Sequence, residues 1–206
     1  MLGKFLTLTA AFLMISGIAG CRQIIVAEVL QQPLGKKVFL KHNIWYENPK
    51  EISCLNIQKG TIIPFGTEVD PVNVTDSKLT FKTVKDGKTF TIEYFHSLIM
   101  LPMEGFIKHI FTLKDRAELT KGMKRSHVKL MLAGKLKRNM TKKQVILTCG
   151  TPAACRTPSI VNSTWVYWLG ENSVYRVVFR NDKVNLFVDI EDKTKRRYKK
   201  KKKRKK

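Results

Sequence analysis

The chain is short of cysteine and of long apolar runs, and each shortage excludes a class of protein. Its 206 residues include four cysteines, none in a Cys-x-x-Cys spacing, so neither a disulfide-stapled miniprotein nor a familiar thiol or zinc motif is predicted. After residue 20 no stretch is apolar enough to cross a bilayer as a helix. Hydrophobic residues still make up 43% of the chain, which predicts a packed core in one or two small domains.

Acidic residues are also scarce, at 16 against 39 Lys and Arg, and the formal net charge is +23. Twelve of the basic residues, and no acid, lie in residues 193–206. A run this dense cannot form a core, so we expect a disordered Lys/Arg-rich tail there. Between residues 21 and 192 the chain has 26 basic residues against all 16 acids, and this body is therefore only mildly basic.

Residues 1–20 have the layout of a secretory signal peptide. A short start with Lys4 is followed by an apolar run over residues 5–15 and then by small residues, which is the typical order. The run is too short for a membrane span. Its last four residues, Ile18-Ala19-Gly20-Cys21, resemble the lipobox at which bacterial lipoproteins are cleaved and acylated.

The lipobox resemblance implies that Cys21 is the lipid attachment site and carries diacylglycerol and fatty acid such as palmitate. Several acyl chains hold a protein firmly, because each buried methylene contributes about 0.8 kcal/mol. Residues 21–30 are then expected to be a lipidated N-terminus and tether. Lipoproteins kept in the inner membrane commonly carry Asp at the second mature position, so Arg22 favours an anchor in the outer membrane, facing the periplasm.

Three cysteines remain once Cys21 is set aside. Cys149 and Cys155 could pair across the turn between them, which would leave Cys54 alone. Three buried thiols explain the count equally well, and both alternatives stay open.

Residues 31–100 predict a small all-β domain, an SH3-like barrel or a sandwich. About five short β-like runs are separated by turn signals. Among these signals, Lys85-Asp86-Gly87-Lys88 predicts a two-residue hairpin. Residues 101–138 then change to helical spacing and predict a helical connector.

Residues 139–192 have the clearest pattern. Thr141 followed by Gln144 predicts a capping box at the start of a short helix, and Gly150 predicts its end. Three strands are expected next, the last two joined by a hairpin at Asn181-Asp182. In the first strand, alternation sends Trp165 and Tyr167 to one face, where we expect them in the core.

Four strings in this segment carry a family resemblance: Asn139-Met140-Thr141-Lys142, Cys149-Gly150-Thr151-Pro152, Trp165-Val166-Tyr167-Trp168 and Asp182-Lys183-Val184. Together they resemble the SmpA/OmlA family of BamE-like domains, although Asn139 stands where the family has Gly and Cys149 where it has Leu. The resemblance implies a two-helix, three-strand α+β domain that serves as a binding and scaffolding module in the bacterial envelope.

No catalytic or metal-binding motif is found in the sequence. The four histidines, at positions 42, 96, 109 and 127, lack the spacings of a metal site, and no activated nucleophile is recognisable. We therefore predict a lipid-anchored protein that is not an enzyme, needs no cofactor or metal, and binds a protein partner as an outer-membrane assembly or envelope-maintenance factor.

The basic tail offers an alternative function, polyanion binding. In a cytoplasmic protein nucleic acid would be the leading partner. The export signal replaces it with anionic lipid, lipopolysaccharide or peptidoglycan, because Lys gains about 1 kcal/mol near an anionic membrane. The predicted polyanion-binding residues are Lys195, Arg196, Arg197, Lys199, Lys200, Lys201, Lys202, Lys203, Arg204, Lys205 and Lys206.

Overall fold

The structure, a computed structural model, describes residues 22–170 and 172–190. Within them the fold is mixed α+β, as expected at that coarse level. The predicted signal peptide, Cys21 and the basic tail lie outside the described residues. In the described part of the chain, no helix has the length and apolar character needed to cross a membrane.

The secondary structure is built from short elements. The described helices are α1 (Val26–Leu30), α2 (His96–Ile99), α3 (Met103–Ile110), α4 (Arg116–Thr120), α5 (Arg125–Leu132) and α6 (Lys142–Cys149). The described strands are β1 (Val38–Leu40), β2 (Ile44–Tyr46), β3 (Ile52–Ser53), β4 (Thr61–Ile63), β5 (Glu68–Val74), β6 (Lys78–Thr83), β7 (Thr89–Glu93), β8 (Phe111–Thr112), β9 (Thr164–Gly170), β10 (Ser173–Arg180) and β11 (Lys183–Ile190).

Six strands form one curled sheet in the order β3-β7-β6-β5-β1-β8. All neighbours are antiparallel except β3 and β7, which run parallel. Strands β2 and β4 pair separately as a two-stranded ribbon. The last three strands form an antiparallel meander in the order β11-β10-β9.

The inner face of the six-stranded sheet packs on helices α1 and α3 and encloses the first core. Four large apolar side chains on the central strands β6 and β7 are at most 3% exposed: Leu79, Phe81, Phe90 and Ile92. Between them Thr80 and Thr91 point to the other face, where their hydroxyl oxygens lie 3.0 Å apart. This alternation is the period of two that places every second side chain of a strand in the core.

The β6–β7 hairpin forms where the sequence predicts it, but its loop is longer than two residues. The strands end at Thr83 and restart at Thr89. The backbone N–H of Gly87 donates to the carbonyl of Thr83 over 2.9 Å, and the Thr83 hydroxyl also bonds Asp86. These bonds fix a five-residue loop, with Gly87 at a φ of 68°, so the prediction of a two-residue turn is wrong.

The segment predicted as a tether enters the fold almost at once. The N–H of Ile24 donates to the carbonyl of Val74 over 2.8 Å, at the end of β5. Ile24 and Val26 are 7% and 6% exposed and belong to the first core, because the apolar face of α1 packs on α3. The folded part of the chain therefore begins at residue 24.

The predicted helical connector is also interrupted. After α3 the chain extends as β8, whose Phe111 is 1% exposed and pairs with Leu40 of β1 at the edge of the sheet. Helix α4 then starts at a capping box in which the Asp115 side chain accepts from the N–H of Glu118. Burying Phe111 in the first core outweighs helix continuation at this point.

The C-terminal elements follow the sequence prediction closely. The N–H of Gln144 donates to the Thr141 hydroxyl over 3.3 Å, and the Gln144 amide oxygen accepts from the N–H of Thr141 over 2.9 Å, which confirms the capping box. Asn181 and Asp182 have φ values of 50° and 55°, as a tight hairpin of two left-handed residues requires. The second core lies between the three-stranded sheet of β9, β10 and β11 and helices α5 and α6.

The aromatic residues of β9 lie on the faces that alternation predicts. Trp165 is 0% exposed and Tyr167 is 4% exposed, so the expectation that both lie in the core is confirmed. Trp168 points to the opposite face, where the guanidinium of Arg156 lies 5.6 Å from the centre of its ring.

One buried side chain, that of Asn43, joins the two cores. Its amide nitrogen donates to the carbonyl of Met131 on α5 over 2.7 Å, and its amide oxygen accepts from the N–H of Phe65 over 2.9 Å. Its own N–H donates to the carbonyl of Leu147 on α6 over 3.1 Å. Asn43 is 0% exposed, so these bonds have no competition from water.

We expect Asn43→Ala to lower the free energy of unfolding by about 2 kcal/mol, because the buried N–H of Phe65 loses its acceptor and the carbonyl of Met131 loses one of its donors. Urea unfolding measures the loss. Asn73→Ala is the matched control, since Asn73 lies exposed on β5. Equal unfolding midpoints for the two variants would contradict the role given to Asn43.

Candidate functional site

A cavity of about 150 Å³ lies between the first core and the loop that follows α6. Residues 150–160 of that loop, here called the cavity loop, form one wall, and helices α2 and α3 form the other. Most of the lining is apolar. The titratable side chains in the lining are those of His42, His109 and Cys54. No Asp or Glu is found among the described residues that line the cavity.

The His42 imidazole is buried and has a defined tautomer. Its Nδ1 lies 2.8 Å from the backbone carbonyl of Asn43. A carbonyl only accepts, so in the neutral ring Nδ1 carries the hydrogen and Nε2 keeps its lone pair. Burial, helped by the nearby charges of His109 and Lys41, lowers the pKa of His42 to about 4. His42 is therefore a neutral ring at physiological pH.

Gly150 allows this ring to pack against the end of α6. A Cβ on Gly150 would lie 3.0 Å from Cε1 of His42, and the residue has a φ of 85°. Both the close approach and the left-handed backbone require glycine. The sequence predicts Gly150 only as the residue that ends the helix, and the structure adds its contact with the imidazole of His42.

The other basic groups beside the cavity also have altered titration. Burial lowers the pKa of His109, and the charge of Lys41 adds to this effect. Burial likewise lowers the pKa of Lys41, whose ammonium donates to the carbonyl of Lys108 over 2.9 Å. Burial therefore favours the uncharged form of each of these bases.

The thiol that faces the cavity is held in its protonated form. Burial raises the pKa of Cys54, and this effect outweighs the backbone hydrogen bonds to its sulfur. A nucleophilic cysteine needs a lowered pKa. The cavity is suited to binding an apolar group, because its thiol is protonated, its His42 imidazole is neutral and most of its lining is apolar.

A second polar cluster lies where the segment between β3 and β4 contacts the second core. The Tyr175 hydroxyl donates to the side-chain oxygen of Gln58 over 3.0 Å and lies 3.3 Å from the sulfur of Cys149. The Tyr167 hydroxyl donates to the carbonyl of Gly150 over 3.0 Å. Burial raises the pKa of Cys149 to about 12, so this cysteine is a structural thiol in the second core.

The two cysteines considered as a pair from the sequence lie in different surroundings. Cys149 belongs to the second core, whereas Cys155 packs against the first. The chain turns at Gly150, and Cys149 and Cys155 are both free thiols. The structure therefore gives no support to a Cys149–Cys155 disulfide.

A third feature is a group of three exposed apolar side chains close to the N-terminus, those of Ile25, Leu34 and Val72. Their exposed fractions are 55%, 106% and 56%. Ile25 and Val72 line one depression together with Gln32. Leu34 is at the tip of a turn closed by the N–H of Lys36, which donates to the carbonyl of residue 33 over 3.0 Å. We call these three residues the N-terminal patch.

The residues that the sequence predicts as sites are not brought together by the described structure. Cys21 and the eleven tail residues lie outside the described parts of the chain. Of the histidines, His42 and His109 line the cavity, His96 is exposed, and His127 lies 3.3 Å from the side-chain nitrogen of Gln144. Across residues 22–170 and 172–190, no three His, Cys, Asp or Glu side chains form a possible metal site.

Sequence reasoning missed the cavity and the N-terminal patch. One signal for the cavity is present, since His42 and Asn43 stand as a polar pair between the apolar residues of two strands. Comparisons of the chain with protein-family models, with curated proteins and with solved structures find no significant match. Functional inference therefore rests on the residues themselves.

We expect stability to fall as the pH is lowered from 6.5 to about 4, and His42 to contribute about 3 kcal/mol of that loss. The pKa of His42 is lower in the folded than in the unfolded chain, so the unfolded chain takes up the proton first. The neutral ring makes its full contribution to the free energy of unfolding at a pH above the pKa of His42 in the unfolded chain. This contribution is lost as the pH falls towards the pKa of His42 in the folded chain.

Urea unfolding at pH 7, 5.5 and 4 measures this dependence. His42→Gln should weaken it, and His96→Gln, which changes an exposed histidine, should leave it unchanged. The role of His42 is contradicted if both variants keep the full dependence.

Proposed function

We propose that this protein is a lipid-anchored component of a bacterial envelope, attached at Cys21 to the outer membrane and facing the periplasm, which acts by binding and scaffolding. Its partners are the membrane and a protein of the envelope. The observation that carries the proposal is the position of the fold relative to Cys21.

Only two residues, Arg22 and Gln23, separate Cys21 from the buried Ile24. Three residue steps of extended chain span at most about 11 Å. A lipid on Cys21 would thus hold the folded body directly at the bilayer surface. The side chain of Arg22 is 71% exposed and forms an ion pair with Glu104 over 3.3 Å.

The N-terminal patch supports the same orientation. Ile25 comes four residues after Cys21, and it shares a depression with Val72. Exposed apolar groups of this size stabilise contact with the acyl boundary of a membrane. They would meet the bilayer that the lipid brings to this end of the fold.

The C-terminal half supports the BamE-like part of the proposal. Two helices, α5 and α6, contact each other and are followed by a three-stranded meander, which is the element order that the resemblance implies. Asn139, in place of the family Gly, has a φ of 67°, and Asn is one of the few residues that tolerate this conformation. Cys149, in place of the family Leu, is 1% exposed and fills a core position.

The finer architecture belongs to the proposal as well. An SH3-like N-terminal domain is supported by the curled sheet around the first core, and a BamE-like C-terminal domain by the separate second core. A binding role is supported by the cavity, where the raised pKa of Cys54 and the neutral His42 suit an apolar contact better than nucleophilic catalysis on a substrate.

A second candidate function is polyanion binding, and one described feature favours it. Arg176 and Arg180 are exposed on β10, beside the strand that leads into the basic tail. Acidic groups of lipopolysaccharide, peptidoglycan or lipid would meet these side chains together with the tail.

In a bacterial host fed labelled palmitate, we expect the chain to incorporate label and to fractionate with the outer membrane. Cys21→Ser should abolish the label, because it removes the acylated thiol. Cys155→Ser is the matched control and should keep the label, since it removes a thiol inside the fold. An unlabelled wild-type chain would defeat the anchor and would leave the polyanion-binding function.

We expect the N-terminal patch to face the bilayer. A polarity-sensitive fluorophore attached at Leu34→Cys should shift to shorter emission wavelength when the lipidated protein is placed in vesicles, because the tip of the turn leaves water. The same fluorophore at Val161→Cys, an 81% exposed position in the C-terminal half, is the control and should not shift.

Both proteins should carry Cys155→Ser, so that the fluorophore labels the introduced thiol only. Equal spectra at the two positions, with the lipid present, would show that the patch does not touch the membrane.

A further inference from the structure

Two thiols beside the cavity are not used in the function proposed above. Cys54 follows β3, and Cys155 belongs to the cavity loop, about a hundred positions later. Cys54 is 7% exposed and buried in the first core, and Cys155 packs against that same core. The fold thus brings together two cysteines that are distant in sequence.

Both cysteines are hydrogen-bonded through their backbone to residues 93–98, the segment that leads into α2 and includes most of it. The N–H of Cys54 donates to the carbonyl of Glu93 over 3.1 Å, and the N–H of Cys155 donates to the carbonyl of Leu98 over 3.3 Å. The side chain of Cys54 lines the cavity together with Ala154, the neighbour of Cys155 in the cavity loop. The Cys155 thiol is also close enough to raise the pKa of Cys54.

Cys149 is separated from this pair. Its sulfur contacts the Tyr175 hydroxyl at 3.3 Å, and its side chain is 1% exposed in the second core. Reaching Cys155 would require breaking that contact and unwinding the end of α6.

We propose that Cys54 and Cys155 form a disulfide bond when the protein meets an oxidant. The oxidant is a disulfide, either that of a protein thiol oxidase or glutathione disulfide. Formation of the bond in the cell rests on the export proposed above, because a reducing compartment would keep both thiols reduced. The capacity of the pair to form the bond does not depend on export.

The geometry sets the order of the two exchange steps. Cys155 is the more exposed thiol, so its thiolate attacks the oxidant disulfide, forms a mixed disulfide and displaces one thiolate of the oxidant. Cys54 then loses its proton and attacks the sulfur of Cys155, which displaces the second thiolate. Two electrons pass from the cysteine pair to the oxidant, whose two sulfurs take up the two released protons.

The bond would connect the two halves of the chain covalently. Cys155 lies in the loop that forms one wall of the cavity, and Cys54 belongs to the core that forms the other. Oxidation would therefore restrict how far the two walls can separate. It would also resist unfolding, because a crosslink between distant residues removes freedom from the unfolded chain.

The full chain, purified in detergent from its bacterial host, provides the test. It is reduced, treated with glutathione disulfide, blocked with an alkylating agent and digested without reductant. Mass spectrometry should detect the peptides of Cys54 and Cys155 joined, with the loss of two hydrogens. Cys149→Ser, the matched control, should keep the joined peptides, and both Cys54→Ser and Cys155→Ser should lose them.

Two outcomes would overturn the proposal. One is a bond between Cys149 and Cys155, and the other is glutathione on Cys155 with no internal bond at any oxidant concentration. Failure of the lipid anchor gives a different result, an alkylated Cys21 thiol beside an intact Cys54–Cys155 bond. The two proposals are thus tested separately on one sample.

Discussion

The fold depends on one buried amide, that of Asn43, which connects the two cores through hydrogen bonds to three separate segments of the chain. Its side chain serves a carbonyl at the end of α5 and an N–H next to β4, and its backbone reaches α6. Without it the N–H of Phe65 would be an unpaired polar atom in an apolar interior, and the carbonyl of Met131 would lose one of its donors and keep the N–H of Gly134. The adjacent His42 shares the same constraint, because its imidazole bonds the Asn43 carbonyl and packs on Gly150. The two adjacent residues Asn43 and His42 therefore build both the junction of the cores and part of the cavity wall.

Local chemistry explains which parts of the fold could be predicted from the sequence. The capping box at Thr141, the hairpin at Asn181-Asp182 and the buried Trp165 each depend on residues close in the chain, and all three are confirmed. The burial of Ile24, the extension at Phe111 and the amide bonds of Asn43 depend on partners more than 20 positions away. No local pattern encodes those partners. The cavity was missed for the same reason, since its walls come from three separated segments.

The proposed anchor and the proposed crosslink act at different places in the chain. Attachment at Cys21 would fix the orientation of the body, since Ile24 is already buried in the first core. A bond between Cys54 and Cys155 would fix the relation of the two halves. The anchor would leave the lining of the cavity unchanged, and the crosslink would replace the protonated thiol of Cys54 with a disulfide sulfur, so the lining carries little charge in either form. A binding protein held at a surface needs both a fixed orientation and a stable shape.

The shortness of the helices has a consequence for the export proposed above. The described helices have eight residues or fewer, and isolated helices of that length are marginal in water because nucleation is costly. Strand β1 pairs with β8, more than 70 positions further along, so the large sheet closes late. A newly made chain would thus hold little stable structure until more than half of it is present. This is the state in which a polypeptide can be threaded through a narrow secretion channel before it folds on the far side.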